Sequence, residues 1–500
     1  MVTDRNVIRV EGVDRTFHRY KILFVLMVPI AMALMAISSI NVALPSVEQG
    51  LGATASDVQW ILSGYALTFG ITLIPAGRIG DSLGRGMFFV MGLALFTLAS
   101  LACGLAPDPA TLNAARFVQG IGAGLYNPQV MGMIQQFFSG RGRAKAFALL
   151  GMVISVSVAV GPLLAGSMIA WLGPQSGWRA SFLVNVPIGL AGVVLALIWL
   201  PFGRERRRFR RSREIRAARA HGDTSRLQRS HLDLDPVGSV MMAAAVLCVM
   251  FPFTAHGSPW WWLLVPVGLG LIVAWIAWEK RYKARGHEPM VDLALFSYHS
   301  FSYGSAVTGT FFVGSTSIFV IAALFVQQGL GASAFAAGLV TLPNAIVSAG
   351  AAAWSGRHTL SRGRVIVVAS IVTIIIACLG AILVASLVVG SGISWWWLAL
   401  PWAVAGLGQG ALGSANQTLT LEDVPTAVGG TAGGVMSTAQ RMGTAIGSAV
   451  ITSIFFAAFA STGAFTALRD AYLLISAVLV VSALVALADL RSARARGVRH

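Results

Sequence analysis

A short charged stretch, GRIGDSLGRG at residues 77–86, interrupts an otherwise apolar region of the chain. It contains three charged residues (Arg78, Asp81 and Arg85) and four glycines, although only 11% of the whole chain is charged. Its charged side chains can form ion pairs and hydrogen bonds, and its glycines permit a tight turn with positive φ. We therefore expect this stretch to be a functional loop between two apolar helices.

Two arginines lie inside apolar runs, where a charge is costly and usually lines a polar cavity. These are Arg116 and Arg441. Asp57 is the nearest candidate partner of Arg116, since both lie one to two turns from the outer ends of their predicted helices. The sequence SDVQ also fits a helix start with Ser56 as N-cap and Gln59 at N3, in which case Asp57 only favours the helix dipole.

Three polar side chains, Asn41, Gln119 and Asn416, lie at or near the same apolar runs. Each could contact a substrate or hydrogen-bond a neighbouring helix. A membrane enzyme would need a nucleophile with a base, paired carboxylates or metal ligands at membrane depth, and the sequence offers no such set. We therefore expect a protein that is not an enzyme and that needs neither a cofactor nor a metal.

The elements that must position these residues are membrane-spanning helices. The chain is 56% hydrophobic, and a spanning helix needs about 20 predominantly apolar residues. Cutting at charges and turn signals leaves three long uncharged runs, each able to hold two spans: 236–278, 293–356 and 365–421. The other predicted spans lie near 22–45, 57–76, 87–106, 110–133, 146–170, 180–201, 432–459 and 470–489. The sequence thus predicts an all-α integral membrane protein with fourteen spans.

The basic residues indicate the orientation of these spans. With a cytoplasmic N-terminus, 32 of the 36 Lys and Arg residues fall on the inner side, which predicts that both termini are cytoplasmic. The net charge of +17 includes an arginine-rich segment, RERRRFRRSREIRAARA. Basic runs beside spans serve topology or contact lipid headgroups, so we expect no nucleic-acid partner. The expected location is the cell (plasma) membrane.

A short repeat indicates that the chain is built from two related halves. GRIGDSLGR (77–85) and GRHTLSRGR (356–364) are 279 residues apart, and both link two predicted spans on the inner face. We predict an N-terminal six-helix bundle in 1–200 and a C-terminal one in 301–490. Between them, 201–300 should hold the arginine-rich loop and two extra spans, and 491–500 should be a basic cytoplasmic tail. In such transporters the pathway lies between the halves.

Several ordered motifs resemble the major facilitator superfamily, specifically its fourteen-span drug:proton antiporter branch. Residues 77–85 resemble its inner-loop signature, and ARFVQGIGAG (115–124) resembles its fourth-helix signature. GPLLAG (161–166), with Gly161, Pro162 and Gly166, is similar to its antiporter signature. The resemblance implies export of a lipophilic small molecule, a drug or natural product, by alternating access in exchange for protons. We expect a monomer in membrane lipid.

The resemblance also implies a role for the charged loop. In the family, the loop aspartate faces a helix N-terminus of the opposite half and closes the inner gate. This assigns the latch to Gly77, Arg78, Asp81, Gly84 and Arg85. A carboxylate near a helix N-terminus gains ~0.3–1 kcal/mol, which is weak enough to be broken in each cycle. Leu360 stands where the second copy would carry its aspartate, so the latch should be one-sided.

The acids that usually carry protons in this branch are missing. Ala36 occupies the family's first-helix acid position, and Ser63 occupies the second-helix acid position of many relatives. Since Arg116 and Arg441 remain, we expect a substrate site short of negative charge, with Asp57 and Arg116 as the charge pair that responds to protons. The alternative is proton-independent or proton-symport transport of a neutral or anionic solute.

Overall fold

The computed structural model describes residues 7–9, 16–202, 234–254 and 258–496. A two-stranded antiparallel hairpin comes first, with β1 at Val7–Arg9 and β2 at Thr16–His18, and Ile8 opposite Phe17. The sequence had not predicted these strands. The arginine-rich segment and the last residues of the predicted tail lie outside the described ranges.

Helices form almost all of the remaining structure. Those before the arginine-rich segment are α1 (Arg19–Leu51), α2 (Ala55–Leu83), α3 (Arg85–Leu105), α4 (Pro109–Phe137), α5 (Gly140–Leu183) and α6 (Asn185–Trp199). Those after it are α7 (Pro236–Thr254), α8 (Leu264–Ala284), α9 (His299–Ser315), α10 (Ser317–Leu324), α11 (Ala334–Ser391), α12 (Ala399–Thr420), α13 (Gly429–Thr462) and α14 (Ala464–Ala495). Short 3-10 turns cover Pro259–Leu263, Leu293–Ser297, Trp395–Leu398 and Thr426–Val428, and a π-helical turn covers Phe325–Gly329.

Two of these helices contain a break in their backbone. Gly173 in α5 has φ of 80°, and Arg362 in α11 has φ of −144° and ψ of 21°, neither of which is helical. Gly84, with φ of 124°, makes the turn between α2 and α3. A positive φ is cheap for glycine, which explains why Gly173 and Gly84 hold these positions. Ten helical stretches of the described residues are long and apolar enough to cross a membrane.

The helices pack into two groups that touch along two seams. In the first group α1 packs on α5, and α2 and α3 pack on α4. In the second group α11 packs on α12 and α14, while α9 packs on α13 and α14. One seam joins α13 to α2 and α4, and the other joins α5 to α11 and α12. Outside both groups, α7 packs against α2 and α13, and α8 packs against α7.

Candidate inner gate and charged central residues

The carboxylate of Asp81 connects the two helix groups. Asp81 lies near the end of α2, and only 6% of the residue is exposed. Its Oδ1 accepts a hydrogen bond from the backbone N–H of Gly430 at 3.0 Å. Its Oδ2 accepts from the backbone N–H of Thr431 at 2.7 Å and from the Thr431 hydroxyl at 2.9 Å. These donors belong to the first turn of α13, whose N–H groups have no partner within their own helix.

Arg85 reinforces the same contact from the start of α3. Its Nη2 lies 2.6 Å from Asp81 Oδ1 in an ion pair whose two side chains are only 5% and 3% exposed. The same nitrogen donates to the carbonyl of Thr426 at 2.6 Å, just before α13. Its Nη1 donates to the carbonyl of Gly132 and to Gln136 Oε1, both on α4. Arg85 therefore joins α2, α4 and the segment that leads into α13.

The stretch that was expected to be a loop is helical up to Leu83, so only Gly84 separates α2 from α3. Close backbone approach explains its first glycine, Gly77. A Cβ on Gly77 would lie 2.5 Å from the carbonyl oxygen of Gly430 and 3.0 Å from the Cα of Thr431. Neither backbone atom can move without separating α2 from α13. Arg78 points elsewhere, because its Nη2 lies 2.7 Å from Glu288 Oε2 in the segment after α8. The five expected latch residues therefore have different environments, and Gly77, Asp81 and Arg85 are the ones at the seam.

Several other residues at this seam had not been singled out from the sequence. Gln135 is 1% exposed, and its Nε2 donates to the carbonyls of Leu421 (3.1 Å) and Val424 (2.6 Å). Arg143 Nη1 also donates to Leu421, at 3.2 Å. A signal was present in the sequence VGGTAGG at 428–434, where repeated glycines indicate close backbone contact. No such sequence signal exists for Gln135, because its partners are backbone carbonyls, which every residue carries.

The second copy of the loop lacks the carboxylate contact. Gly356 packs directly against Ala148 of α5, so this copy also meets the opposite helix group. The Leu360 side chain has no oxygen with which to accept from a helix N-terminus. Arg364 Nε instead lies 3.0 Å from Asp489 Oδ2 on α14, within its own helix group. The two seams are therefore closed by different chemistry.

Arg116 and Gln119 form a buried network, which differs from the expected pair of Asp57 and Arg116. Arg116 is 1% exposed; its Nε donates to the carbonyl of Ile61 at 2.9 Å, and its Nη1 donates to Gln119 Oε1 at 2.6 Å. Gln119 Nε2 in turn donates to Ser100 Oγ at 2.8 Å. The Tyr65 ring lies 4.5 Å from the guanidinium carbon of Arg116. Arg116 is thus bound to neutral partners.

Asp57 caps its own helix. Thr54 is the N-cap of α2, one turn before Asp57, and the two residues form a reciprocal capping box. Asp57 Oδ2 accepts from the Thr54 backbone N–H at 2.9 Å and from its hydroxyl at 2.7 Å. The expectation that Ser56 is the N-cap was therefore wrong. The structure does not bring Asp57 and Arg116 together, since hydrogen bonds of the helix terminus already hold the carboxylate.

Arg441 is the arginine that faces the opposite helix group. It lies on α13, is half-buried, and has its guanidinium carbon 4.2 Å from the ring centroid of Phe69 on α2. Within the described residues Arg441 forms no hydrogen bond and no ion pair.

The two asparagines that were expected near the substrate do not lie beside Arg441. Asn416 is separate from it, because its Nδ2 donates to Thr308 Oγ1 (2.8 Å) and Gly304 O (3.1 Å) on α9. Asn41 is exposed on α1.

The GPLLAG segment lies along α5, where the second seam ends. A Cβ on Gly161 would lie 2.9 Å from the carbonyl of Met35 on α1, and Pro162 follows inside the helix. Gly166 has no neighbouring atom within 4 Å of a Cβ position. Nearer the start of α5, Ser155 Oγ lies 2.8 Å from Ser348 Oγ on α11. The seam therefore closes at the early part of α5 and not at Gly166.

The comparisons with known proteins agree with this architecture. Residues 26–448 match the model of the Major Facilitator Superfamily. The chain belongs to that superfamily. It is 33% identical over 431 residues to the "Probable actinorhodin transporter" of Streptomyces coelicolor, which covers 83% of this chain and 69% of that protein. It is 27% identical over 442 residues to the tetracenomycin C resistance and export protein of Streptomyces glaucescens, which covers 85% and 74%.

Solved structures of this superfamily share the fold at low sequence identity. The human organic anion transporter MFSD10 superposes with a TM-score of 0.64 at 13% identity, which covers 93% of this chain and 99% of that one. The proton:xylose symporter XylE gives a TM-score of 0.63 at 15% identity, which covers 93% and 94%. The protein is accordingly a multi-pass transporter of the plasma membrane, of the drug-efflux type within the superfamily.

Proposed function

We propose that this transporter exports a lipophilic small molecule, such as a drug or natural product, by alternating access between its two helix groups. The observation that carries the proposal is the bond between Asp81 and the first turn of α13. This contact joins the two groups through hydrogen bonds to one carboxylate. The contact can therefore break and re-form without any rearrangement within either group. The tetracenomycin C resistance and export protein, one of the relatives, supports the direction of transport.

The contacts between the groups support an outward-facing arrangement. On one seam they run from the last turns of α2 and the first turn of α13 to Phe69 and Arg441. On the other seam they run from Ala148 with Gly356 to Ser155 with Ser348. Beyond these contacts Gly166 on α5 and Gly338 on α11 have no neighbour within 4 Å of a Cβ position. With the loop of residues 77–85 on the cytoplasmic side, the inner end is closed and the outer end is open.

We further propose fourteen spans with both termini in the cytoplasm. Two of the ten apolar stretches, Gly140–Trp199 with 60 residues and Ala336–Ser391 with 56, are each long enough for two spans of about 20 residues. Gly173 and Arg362 break them in the middle region. The helices α4 and α12, of 29 and 22 residues, supply two more. The bias of Lys and Arg supports the orientation.

In the proposed domain organisation, 1–200 and 301–490 are the two six-helix bundles. Residues 201–300 contribute the extra spans α7 and α8, and 491–500 form a cytoplasmic tail. The peripheral packing of α8 on α7 supports a place for this pair outside the transport path. We propose a monomer surrounded by lipid, without enzymatic activity.

Exchange for protons is the proposed energy source, and the GPLLAG segment on α5 supports it through its likeness to the antiporter signature. Proton-independent or symport movement of a neutral or anionic solute is the second candidate. The absence of an acid at Ala36 and Ser63 and the neutral partners of Arg116 favour it.

One experiment separates these candidates. The full chain would be reconstituted in proteoliposomes with a neutral, an anionic and a cationic dye of similar size inside or outside, with and without a pH gradient. Proton antiport predicts uphill dye movement only with the gradient and a matching proton flux. Downhill dye movement that ignores the pH gradient, or uphill movement in the same direction as the protons, would favour the second candidate, and no dye movement in any arm would refute lipophilic export.

A further inference from the structure

The helix α7 lies across the seam between the two helix groups, although it belongs to neither group. It packs against α2 of the first group and against α13 of the second. The contact with α2 is close, because a Cβ on Gly70 would lie 2.9 Å from Met250 Sδ and 3.7 Å from Val246 Cγ1. Both of these α7 residues are 1% exposed. A third helix therefore covers the line along which α2 and α13 meet.

The contacts of α7 continue to the end of α2 opposite Asp81, which is the outer end in the proposed orientation. The ring of Phe251 on α7 lies 5.8 Å from that of Trp60. One residue earlier on α2, the side-chain amide of Gln59 donates to the carbonyl of Thr254 at 3.1 Å. Thr254 is the last residue of α7. The outer half of α2 is therefore fastened to α7 up to its first turns.

The direct contacts between α2 and α13 lie at Phe69 and further towards the cytoplasm. Arg441 stacks on Phe69, and a Cβ on Gly434 would lie 2.7 Å from the carbonyl oxygen of Leu73. In the proposed outward-facing arrangement the two groups separate beyond these contacts, so a gap between α2 and α13 would open the cavity sideways into the bilayer. Eight of the ten residues 61–70 are nevertheless buried, as expected if α7 closes that gap.

The far side of α7 faces the lipid. Val240 and Leu247 are exposed there, and α8, which packs on α7, exposes Val267 and Val273. Exposed apolar side chains within a membrane span are surrounded by acyl chains, which are as apolar as the side chains themselves. From the cavity outwards the order is therefore α2 with α13, then α7, then lipid.

The outer half of the opposite seam, between α5 and α11, is far less covered in the described structure. Among residues 154–163 of α5 only Ser157 and Gly161 are buried. On α11, Ile346 is 65% exposed. The exposed residues of this part of α5 are all apolar: Val156, Val158, Val160 and Leu163. This seam therefore offers an apolar surface along which the cavity can meet the bilayer.

We propose that α7 is a lateral seal that separates the outward-facing cavity from the bilayer at the α2–α13 seam. The α5–α11 seam then remains as the route by which a lipophilic substrate passes into the lipid. This route rests on the proposed function, whereas the seal depends only on the packing of α7. A solute that moves directly from the cavity to acyl chains keeps its apolar surface out of water, so a lateral exit avoids the cost of hydrating that surface. The extra pair of spans therefore makes release one-sided.

Quenching of a fluorescent label by brominated lipid tests the seal without any transport. A cysteine-free chain carrying Ala66→Cys or Val160→Cys is labelled with bimane and reconstituted in nanodiscs whose lipids are brominated along their acyl chains. Ala66 lies one turn before Phe69 on the face of α2 that turns towards Arg441, and thus behind α7. Val160 is exposed at the opposite seam. We expect the lipid to quench the label at position 160 and to spare the label at position 66.

Truncating the buried face of α7 should remove this difference. Val246→Ala with Met250→Ala shortens the two side chains at Gly70, so acyl chains should reach the label at position 66 and quench it. Val267→Ala with Val273→Ala on the exposed face of α8 is the matched control and should leave that label unquenched. Phe251→Ala, which removes the ring contact with Trp60, opens the seal in a second way if the double variant does not fold.

Three results of the quenching experiment would overturn the proposal. The first is equal quenching at positions 66 and 160 in the chain with an intact α7. The second is a label at position 66 that stays unquenched in both the double variant and Phe251→Ala. The third is a label at position 160 that the lipid never quenches.

Export measurements separate the lateral route from the proposed function. Gly338→Trp places a ring in open space on the outer part of α11, and Gly270→Trp, also in open space but on α8, is the matched control. In proteoliposomes, Gly338→Trp should slow a dye that partitions into the bilayer more than a water-soluble dye, and Gly270→Trp should slow neither. Equal rates or equal slowing of the two dyes in Gly338→Trp would refute the lateral route. If the unaltered chain exports neither dye, the proposed function fails, and quenching still decides whether α7 seals the seam.

Discussion

The backbone N–H of Thr431 lies 2.7 Å from Asp81 Oδ2, so a side chain of the first helix group caps a helix of the second. Capping by a carboxylate normally takes place within one chain segment and stabilises one helix. Here the same interaction crosses the seam between the groups, and Arg85 neutralises the carboxylate from the other side. The stability of the inner closure therefore depends on a small number of charge-assisted hydrogen bonds.

Asp81→Asn should shift the transporter towards an inward-open state without unfolding it. The amide keeps the size of the side chain but loses the charge that Arg85 and the α13 N-terminus stabilise, at a cost of about 1.5–3 kcal/mol. That corresponds to a roughly tenfold or larger change in the population of the closed gate. Labelling of a cysteine behind the gate measures it, and Asp470→Asn is the control. Equal labelling in the wild type and in Asp81→Asn would remove the latch role.

Gly77→Ala should weaken the same closure through sterics alone. The new methyl group would meet the carbonyl of Gly430 at 2.5 Å, so α2 and α13 must move apart at a cost of about 1–3 kcal/mol. The control is Gly270→Ala on α8, where a Cβ has no neighbour within 4 Å. Both substitutions raise helix propensity to the same degree. Faster labelling of the cysteine behind the gate in Gly77→Ala, but not in Gly270→Ala, would therefore show that the contact at the seam is responsible. Similar labelling in the two variants would show that the close approach is unimportant.

The parts of this structure that the sequence predicted depend on composition and on local spacing. Apolar runs predicted most of the helices, because the cost of an unsatisfied backbone in lipid leaves few alternatives. The loop of residues 77–85 was recognisable because its charges and glycines are clustered. The capping of α2 was assigned to Ser56 because Gln59 stands three residues later, as a capping box requires, whereas in the structure Thr54 is the N-cap and Asp57 is the N3 residue.

The parts that sequence analysis missed depend on contacts between distant segments. Gln135 binds carbonyls that are 286 and 289 residues away, and no local pattern encodes that geometry. Arg116 donates to a backbone carbonyl and to a side-chain amide, whereas its position in an apolar run had led us to expect an acidic partner.

Asp57→Ala should reduce stability and leave proton coupling unchanged. It removes the reciprocal box with Thr54, which is worth about 0.5–2 kcal/mol. The matched control is Asp108→Ala, because Asp108 also caps the start of its helix, as the N-cap residue of α4 that accepts the N–H of Thr111 at 2.8 Å. The thermal unfolding temperature in detergent should fall in both variants, and the pH profile of dye export should stay that of the wild type in both. A pH profile altered only by Asp57→Ala would restore Asp57 as a coupling residue.

The last prediction concerns the charge of the substrate and rests on Arg441. This arginine faces α2 beside Phe69 with no described hydrogen bond or ion pair. At an effective dielectric constant near 20, a positive charge ~7 Å away would be repelled by about 2 kcal/mol, or roughly 30-fold in affinity. Neutral and anionic lipophilic compounds should therefore be exported better than quaternary ammonium dyes of the same size.

Arg441→Gln should reverse this preference, with weaker transport of anions and stronger transport of cations. Arg441→Lys keeps the charge and should retain the preference for anions, although lysine lacks the planar group that stacks on Phe69. Arg469→Gln provides the control, because Arg469 is exposed and paired with Asp470. Initial rates for three dyes of matched size, measured in proteoliposomes at equal membrane potential, give the selectivity. If the wild type exports the cation as fast as the anion, and Arg441→Gln changes neither rate, then Arg441 does not select substrates by charge.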